Sequence, residues 1–167
     1  MKELQLSQGY KCQVSDGDCW VSQYKWRAHV KRRVDGTIKK VYAIRTVRVN
    51  GKNTTQLMHR LILGMTDPAI EIDHKDRDGL NNQRQNLRQA TTQQNQRNQG
   101  LDKSNTSGFK GVSWHSHHKK WDANIRVDNR LLHLGRFVDP IKAARAYDVA
   151  AVKHFGEFAY CNFAEAS

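Results

Sequence analysis

The 167-residue chain is short of acidic residues, of cysteine and of long apolar runs, and each shortage closes a class of function. Its three cysteines, Cys12, Cys19 and Cys161, are odd in number and form no Cys-x-x-Cys pair, so neither a disulfide framework nor a thiolate zinc site is indicated. No apolar stretch approaches the roughly 20 residues needed to span a bilayer, and the first residues, Met1-Lys2-Glu3-Leu4-Gln5, hold no apolar signal core. A soluble, cytoplasmic protein is the expectation. Asp and Glu number 16 against 28 Lys and Arg, a net charge of +12. So many uncompensated cations attract a polyanion and release its counterions, which favours nucleic acid over a membrane surface. Only 38% of the residues are apolar, which favours small modules over one large core.

What is present is unevenly spread. Residues 1–60 carry 13 Lys and Arg against 4 Asp and Glu, residues 61–100 carry 5 against 5, and residues 101–167 carry 10 against 7. The neutral middle gathers Asp73, Asp76 and Asp78 between basic flanks, as expected if the flanks grip phosphates and present a backbone to a metal-holding carboxylate. The first part reads as short strands, with Tyr42 to Val49 alternating and Asn50-Gly51 supplying a turn. Lys31-Arg32-Arg33 and Lys39-Lys40 flank Asp35-Gly36 in a predicted hairpin suited to phosphate contact. Met58 to Leu63 predicts a short helix. Gly, Ser and Asn enrich residues 99–108, the best linker. Beyond it, Trp121, Ala123, Ile125 and Val127 alternate with polar residues, Asp128-Asn129 turns the strand into Leu132-His133-Leu134, and Asp139-Pro140 opens a helix that ends at Gly156. Counting Phe109 to Trp114, that makes three strands packed on one helix.

The constellation that could carry chemistry is Asp73-His74, then Asn81-Asn82, then Asn86-Leu87-Arg88, then Asn95. An Asp beside a His can divide the labour of phosphodiester hydrolysis: the carboxylate takes a hard divalent ion and the neutral imidazole accepts a proton from water. These residues resemble the HNH, or ββα-metal, nuclease motif over about residues 55 to 98, in the variant of phage homing endonucleases where the last His is replaced by Asn. The resemblance implies that Asp73 and Asn95 bind one Mg²⁺ or Mn²⁺, that His74 is the general base, and that Asn86 holds the loop orienting it. Zinc fits less well, since the donors are mostly oxygens. His59-Arg60 is similar to the family's preceding segment, where such a pair supports the fold or a phosphate. Asp16 to Trp26 is similar to a leader that precedes HNH motifs.

Residues 105 to 163 resemble a second family, the plant ethylene-response-factor (ERF, Apetala-type) DNA-binding domain. The carriers are Ser107 to Val112, Lys120 to Arg126, His133 to Phe137, Ala143 to Asp148, and Asn162-Phe163. The resemblance implies a three-stranded sheet in the major groove with Lys110, Ser113, Trp114, Asn124, Arg126 and His133 facing DNA. Trp121 belongs with Ala123 and Ile125 on the core face. His133 stands where the plant proteins usually carry Trp and Ser113 where they carry Arg, so their base preference does not transfer. His115, His117 and His118, at a turn without carboxylate or thiolate partners, read as a solvated or phosphate-touching loop.

The expected protein is α+β and modular: a basic N-terminal β segment (1–54), an HNH core (55–100), a linker (101–107) and an ERF-type module (108–167). The expected function is metal-dependent, site-specific nicking of duplex DNA by a monomer without an obligate protein partner, in a bacterial or phage-infected cell. Phosphate or base contacts are expected from Arg32, Arg33, Lys39, Lys40, Arg45 and Arg60 in addition to the six residues of the C-terminal sheet. A DNA-binding regulator with a silent core and an RNA-binding protein are the rival readings.

Overall fold

The computed structural model describes residues 1–102 and 104–163, and the chain divides into two compact units, Met1–Thr92 and Gln93–Ser167. Lys103, in the expected linker, and residues 164–167, at the end of the expected ERF-type module, lie outside the described residues.

In the first unit β1 (Lys2–Gln5) pairs antiparallel with β2 (Lys11–Val14). The other edge of β2 pairs in parallel with a two-residue strand from the centre of the chain, placing Gln13 opposite Asn81 and Val14 opposite Asn82. A meander follows: β3 (Arg27–Arg32), β4 (Ile38–Val49) and β5 (Lys52–Leu57). Asn50 and Gly51 take φ of 49° and 77°, the left-handed conformations that a tight hairpin turn demands of both central residues. Helix α1 (Met58–Ile62) leads to β6 (Glu71–His74), β7 (Asn81–Asn82) and β8 (Leu87–Ala90). Strands β6 and β8 are antiparallel, with Asp73 opposite Arg88 and His74 opposite Leu87.

The expected boundary between residues 54 and 55 is absent. One apolar cluster runs from Cys12, Val14 and Val21 through Ala43 to Met58, Ile62, Ile72 and Leu87. Neither stretch could bury its apolar face alone, so the basic β segment and the motif share a core. Arg84 ties them further, donating from Nε and Nη2 to the two carboxylate oxygens of buried Asp18 at 3.2 and 2.6 Å and from Nη2 to the Ile62 carbonyl at 2.9 Å. Burial pushes the Cys12 thiol up to about 12, so it stays protonated, with its sulfur 3.8 Å from that of Met58.

The second unit begins inside α2 (Thr92–Arg97) rather than after residue 100. Arg97 lies 4.4 Å from the Phe155 ring centroid and 3.6 Å from the Asp128 carboxylate. Strands β9 (Val112–His115), β10 (Lys120–Val127) and β11 (Arg130–Phe137) form an antiparallel sheet with β10 central. Helix α3 (Pro140–Phe155) packs across it through Ala143, Ala144, Tyr147, Ala150 and Ala151, all buried. The Asp139 side chain accepts from Ile141 N at 2.8 Å, a cap worth about 1 kcal/mol, and Pro140 occupies the first turn, where no N–H is needed. Leu132 and Leu134 face the core with His133 on the opposite side, and past them a bulge places both Leu134 and Gly135 between the pairs Asn124–His133 and Asp122–Arg136, with Gly135 at φ of 137°.

Candidate nuclease centre and nucleic-acid interface

Strand β6 carries Asp73 and His74 at its end, and both are buried. Successive strand residues point to opposite faces, so the two side chains meet different surroundings. Asp73 faces its cross-strand partner: Arg88 donates from Nε and Nη2 to Oδ2 at 2.9 and 2.7 Å, an ion pair with almost no solvent exposure. Glu71, two residues earlier, accepts from the Thr92 hydroxyl at 2.8 Å.

His74 enters an aromatic nest. Its ring centroid is 5.0 Å from that of His59, edge to face, and 6.0 Å from that of Tyr42. Burial holds the imidazole below its ordinary value, while Asn82, fully buried beside it, and the Asp76 charge pull the other way. Burial also pushes His59 down, to about 3, with His74 and Arg60 adding to the effect. Both imidazoles are therefore neutral at neutral pH, the state a general base requires.

Asn86 organises the loop after His74. Its Oδ1 accepts from Asp76 N at 3.1 Å, and its Nδ2 donates to Asp76 Oδ1 at 2.9 Å and to the Asn81 carbonyl at 2.8 Å. Asp76 also accepts from Asn81 Nδ2 at 2.6 Å, so Asp76, the aspartate nearest the centre besides Asp73, serves the loop. Asn95 lies on α2 in the second unit, so its place beside Asp73 rests on sequence spacing.

The donor set suits a hard divalent cation. Asp73 offers carboxylate oxygen, with its Oδ2 also held by Arg88, and among the described residues no three His, Cys, Asp or Glu side chains gather into a closed cage.

The expected DNA contacts divide into two groups. In the first unit Arg32, Arg33 and Lys39 are exposed on the β3–β4 hairpin, with Arg32 donating to the Gly36 carbonyl and Arg33 to the Ile38 carbonyl. Lys40 is half-buried, and burial lowers its ammonium against the opposing pull of Asp73, which puts this lysine within electrostatic reach of the centre. Arg45 and Arg60 are otherwise engaged. Arg45 stacks 3.6 Å from the Tyr24 ring centroid and donates to Gln56 Oε1 at 2.7 Å. Arg60 donates to the carbonyls of Ile70, at 2.7 Å, and Asp67. Their guanidinium groups brace the fold.

In the second unit, Ser113, Asn124, Arg126 and His133 lie on the sheet face away from α3, as register requires, and His133 Nδ1 is 3.1 Å from Asn124 Oδ1. Two of the residues expected to face DNA are engaged within the unit. Trp114 is opposite Trp121 in the ladder, with ring centroids 5.0 Å apart, so it shares the α3 side of the sheet although half exposed. Lys110 donates from Nζ to the carbonyls of Arg97 and Gln99 at 2.7 and 2.6 Å. Arg136 and Asp122 were missed: they form an ion pair at 2.6 Å on the same face as Arg126, and the register beyond the bulge was needed to place Arg136 there. Of the histidine turn, His117 and His118 are exposed and His115 is partly so, with the His118 ring centroid 4.7 Å from that of His115 and 4.9 Å from that of His117.

Comparison with known proteins places these features. Residues 56–97 match the HNH endonuclease family model. The chain is 38% identical over 63 residues to H-N-H endonuclease F-TflI of Escherichia phage T5, covering 34% of this chain and 32% of that protein. It is 38% identical over 103 residues to the uncharacterized HNH endonuclease L560 of Acanthamoeba polyphaga mimivirus, covering 61% of this chain and 52% of the relative. It is also 48% identical over 59 residues to the AP2-like ethylene-responsive transcription factor CRL5 of Oryza sativa subsp. japonica, covering 34% of this chain and 9% of that protein. The chain thus spans about half the length or less of these relatives. The stretch that matches the HNH endonuclease family model, residues 56–97, is the one that holds Asp73, His74 and Asn86, and the chain is similar in part to a phage endonuclease.

Proposed function

We propose that the protein is a metal-dependent, site-specific DNA endonuclease of the homing type, nicking one strand of duplex DNA as a monomer. The observation that carries this reading is the adjacency on β6 of Asp73, in its ion pair with Arg88, and a buried, neutral His74. His74 takes the proton from the attacking water at an imidazole nitrogen. Asn86 keeps the loop from Asp76 to Asn81 closed behind it. Asp73 would hold one Mg²⁺ or Mn²⁺ with Asn95, which the motif spacing names as second oxygen donor. The ion supplies charge stabilisation at the phosphate and the leaving oxygen.

Binding is assigned to Arg32, Arg33, Lys39 and Lys40 on phosphates and to Ser113, Asn124, Arg126 and His133 on an ERF-like sheet in the major groove. The exposure of Arg32, Arg33 and Lys39, the nearness of half-buried Lys40 to Asp73 and the shared face of the four sheet residues support both assignments. One motif per chain suits one cut per molecule. The test is incubation with supercoiled DNA carrying candidate targets in Mg²⁺, Mn²⁺ or EDTA. Nicked circles that require the ion support the endonuclease. Tight, salt-sensitive binding of a located target without cleavage in either metal replaces it with a DNA-binding regulator.

A further inference from the structure

Three rings meet at the end of β6, and one comes from outside residues 56–97. Tyr42 on β4 has its ring centroid 6.0 Å from that of His74, inclined at 50°, and 5.7 Å from that of His59, inclined at 63°. The His59 and His74 rings stand 5.0 Å apart at 89°. His59 is only 6% exposed, and its Nδ1 has no hydrogen-bond partner among the described residues, so ring contact is the service it performs best there.

The far side of Tyr42 is equally crowded. A Cβ on Gly79 would stand 2.7 Å from Tyr42 Cδ1 and 2.3 Å from the Val41 carbonyl oxygen, so the loop after His74 lies directly on the tyrosine through a bare glycine. The Lys31 ammonium is 5.5 Å from the same ring centroid. A residue packed against the base, the loop and a cation at once has little rotational freedom, and edge-to-face ring pairs at 5–6 Å are favourable and directional.

We propose that Tyr42 is a positioning residue of the nuclease centre, its ring and that of His59 forming two walls that fix the plane of the His74 imidazole. The inference rests on the reading of His74 as the base, and it makes the N-terminal meander part of the catalytic apparatus. A base displaced by about 1 Å loses on the order of 100-fold in rate, so the walls matter even without touching substrate.

The experiment uses the full chain and compares wild type with Tyr42→Leu, Tyr42→Met and Tyr42→Phe. Carbon-correlated proton spectra of the histidine rings, assigned with His74→Gln, are recorded without metal, and nicking is timed at saturating target DNA with Mg²⁺. The expected result is that Leu and Met, which remove the ring while keeping bulk, shift the His74 ring signals and lower kcat by about 100-fold with DNA affinity unchanged. Tyr42→Phe restores the signals and most of the lost rate. His74 signals that ignore the loss of the ring, unchanged kcat in Tyr42→Leu or Tyr42→Met, or a folded Tyr42→Phe that restores neither, would overturn the inference. A wild-type protein that does not cut removes the endonuclease reading, while the spectra still decide whether Tyr42 fixes His74.

Discussion

Of the eight polar or charged side chains buried among the described residues, Asp18, His59, Asp73, His74, Asn82 and Asn86 belong to the first unit, and only Asn98 and Asp148 to the second. The second unit is conventional: a sheet and a helix zipped by alanines, with Ser113, Asn124, Arg126 and His133, proposed to meet DNA, on the outer face of the strands. Asp148 there is a structural anchor, accepting from Asn162 N, Asn162 Nδ2 and Phe163 N at 2.8, 2.9 and 3.0 Å. The first unit holds its proposed working residues inside, where burial lowers the titration of His59 and His74.

The contrast can be broken first at two glycines. Gly111 in the second unit takes φ of 76° and a Cβ there would stand 1.9 Å from the Tyr147 ring, so Gly111→Ala should cost about 3 kcal/mol or more in urea unfolding. Gly79→Ala in the first unit meets tight contacts without a left-handed φ, and about 2 kcal/mol is expected. Equal costs would mean that backbone strain adds nothing at Gly111. Asp148→Ala removes the acceptor of three hydrogen bonds and should cost about 2 kcal/mol while leaving nicking at 25 °C intact.

Acid sharpens the comparison from the other side. His59 falls from its ordinary 6.5 to about 3 in the folded chain, so between those values the unfolded state binds a proton that the folded state refuses. Stability should be full above pH 6.5 and decline as pH falls towards 3, by roughly 1.4 kcal/mol per pH unit for this group. His74, also lowered, adds in the same direction. Urea midpoints measured from pH 8 to pH 4 should fall for the wild type and fall less for His59→Leu; identical profiles would refute the burial argument. The smallest effect is expected on the sheet face. Arg136→Gln should change stability by less than about 1 kcal/mol, because its ion pair with Asp122 remains partly exposed. Arg126→Ala should reduce the salt dependence of DNA binding by about one phosphate contact.

The same contrast explains what could be read from sequence. The helix capped by Asp139, the turns at Asn50-Gly51 and Asp128-Asn129, and the face shared by Asn124 and Arg126 follow from local periodicity and turn chemistry, which a short window contains. Asp73, His74 and Asn86 stand out in the sequence because a motif has fixed spacing. Three other features were hidden by long-range geometry. The parallel pairing of Gln13 with Asn81 leaves no local trace. The stacking of Arg45 on Tyr24 joins residues from separate stretches of the chain. The aromatic nest around His74 draws Tyr42 and His59 from separate elements, and no window holds all three.

The central claim is that Asp73 and His74 together cut DNA. Its most direct test is metal-dependent nicking of supercoiled target DNA by wild type, Asp73→Ala and His74→Ala, with gel-shift binding measured in parallel. Loss of a positioned base costs about 100- to 10,000-fold, so both variants should bind DNA like the wild type and cut it at least about 100-fold more slowly in Mg²⁺. Undiminished cutting by either variant would place the chemistry elsewhere in the chain.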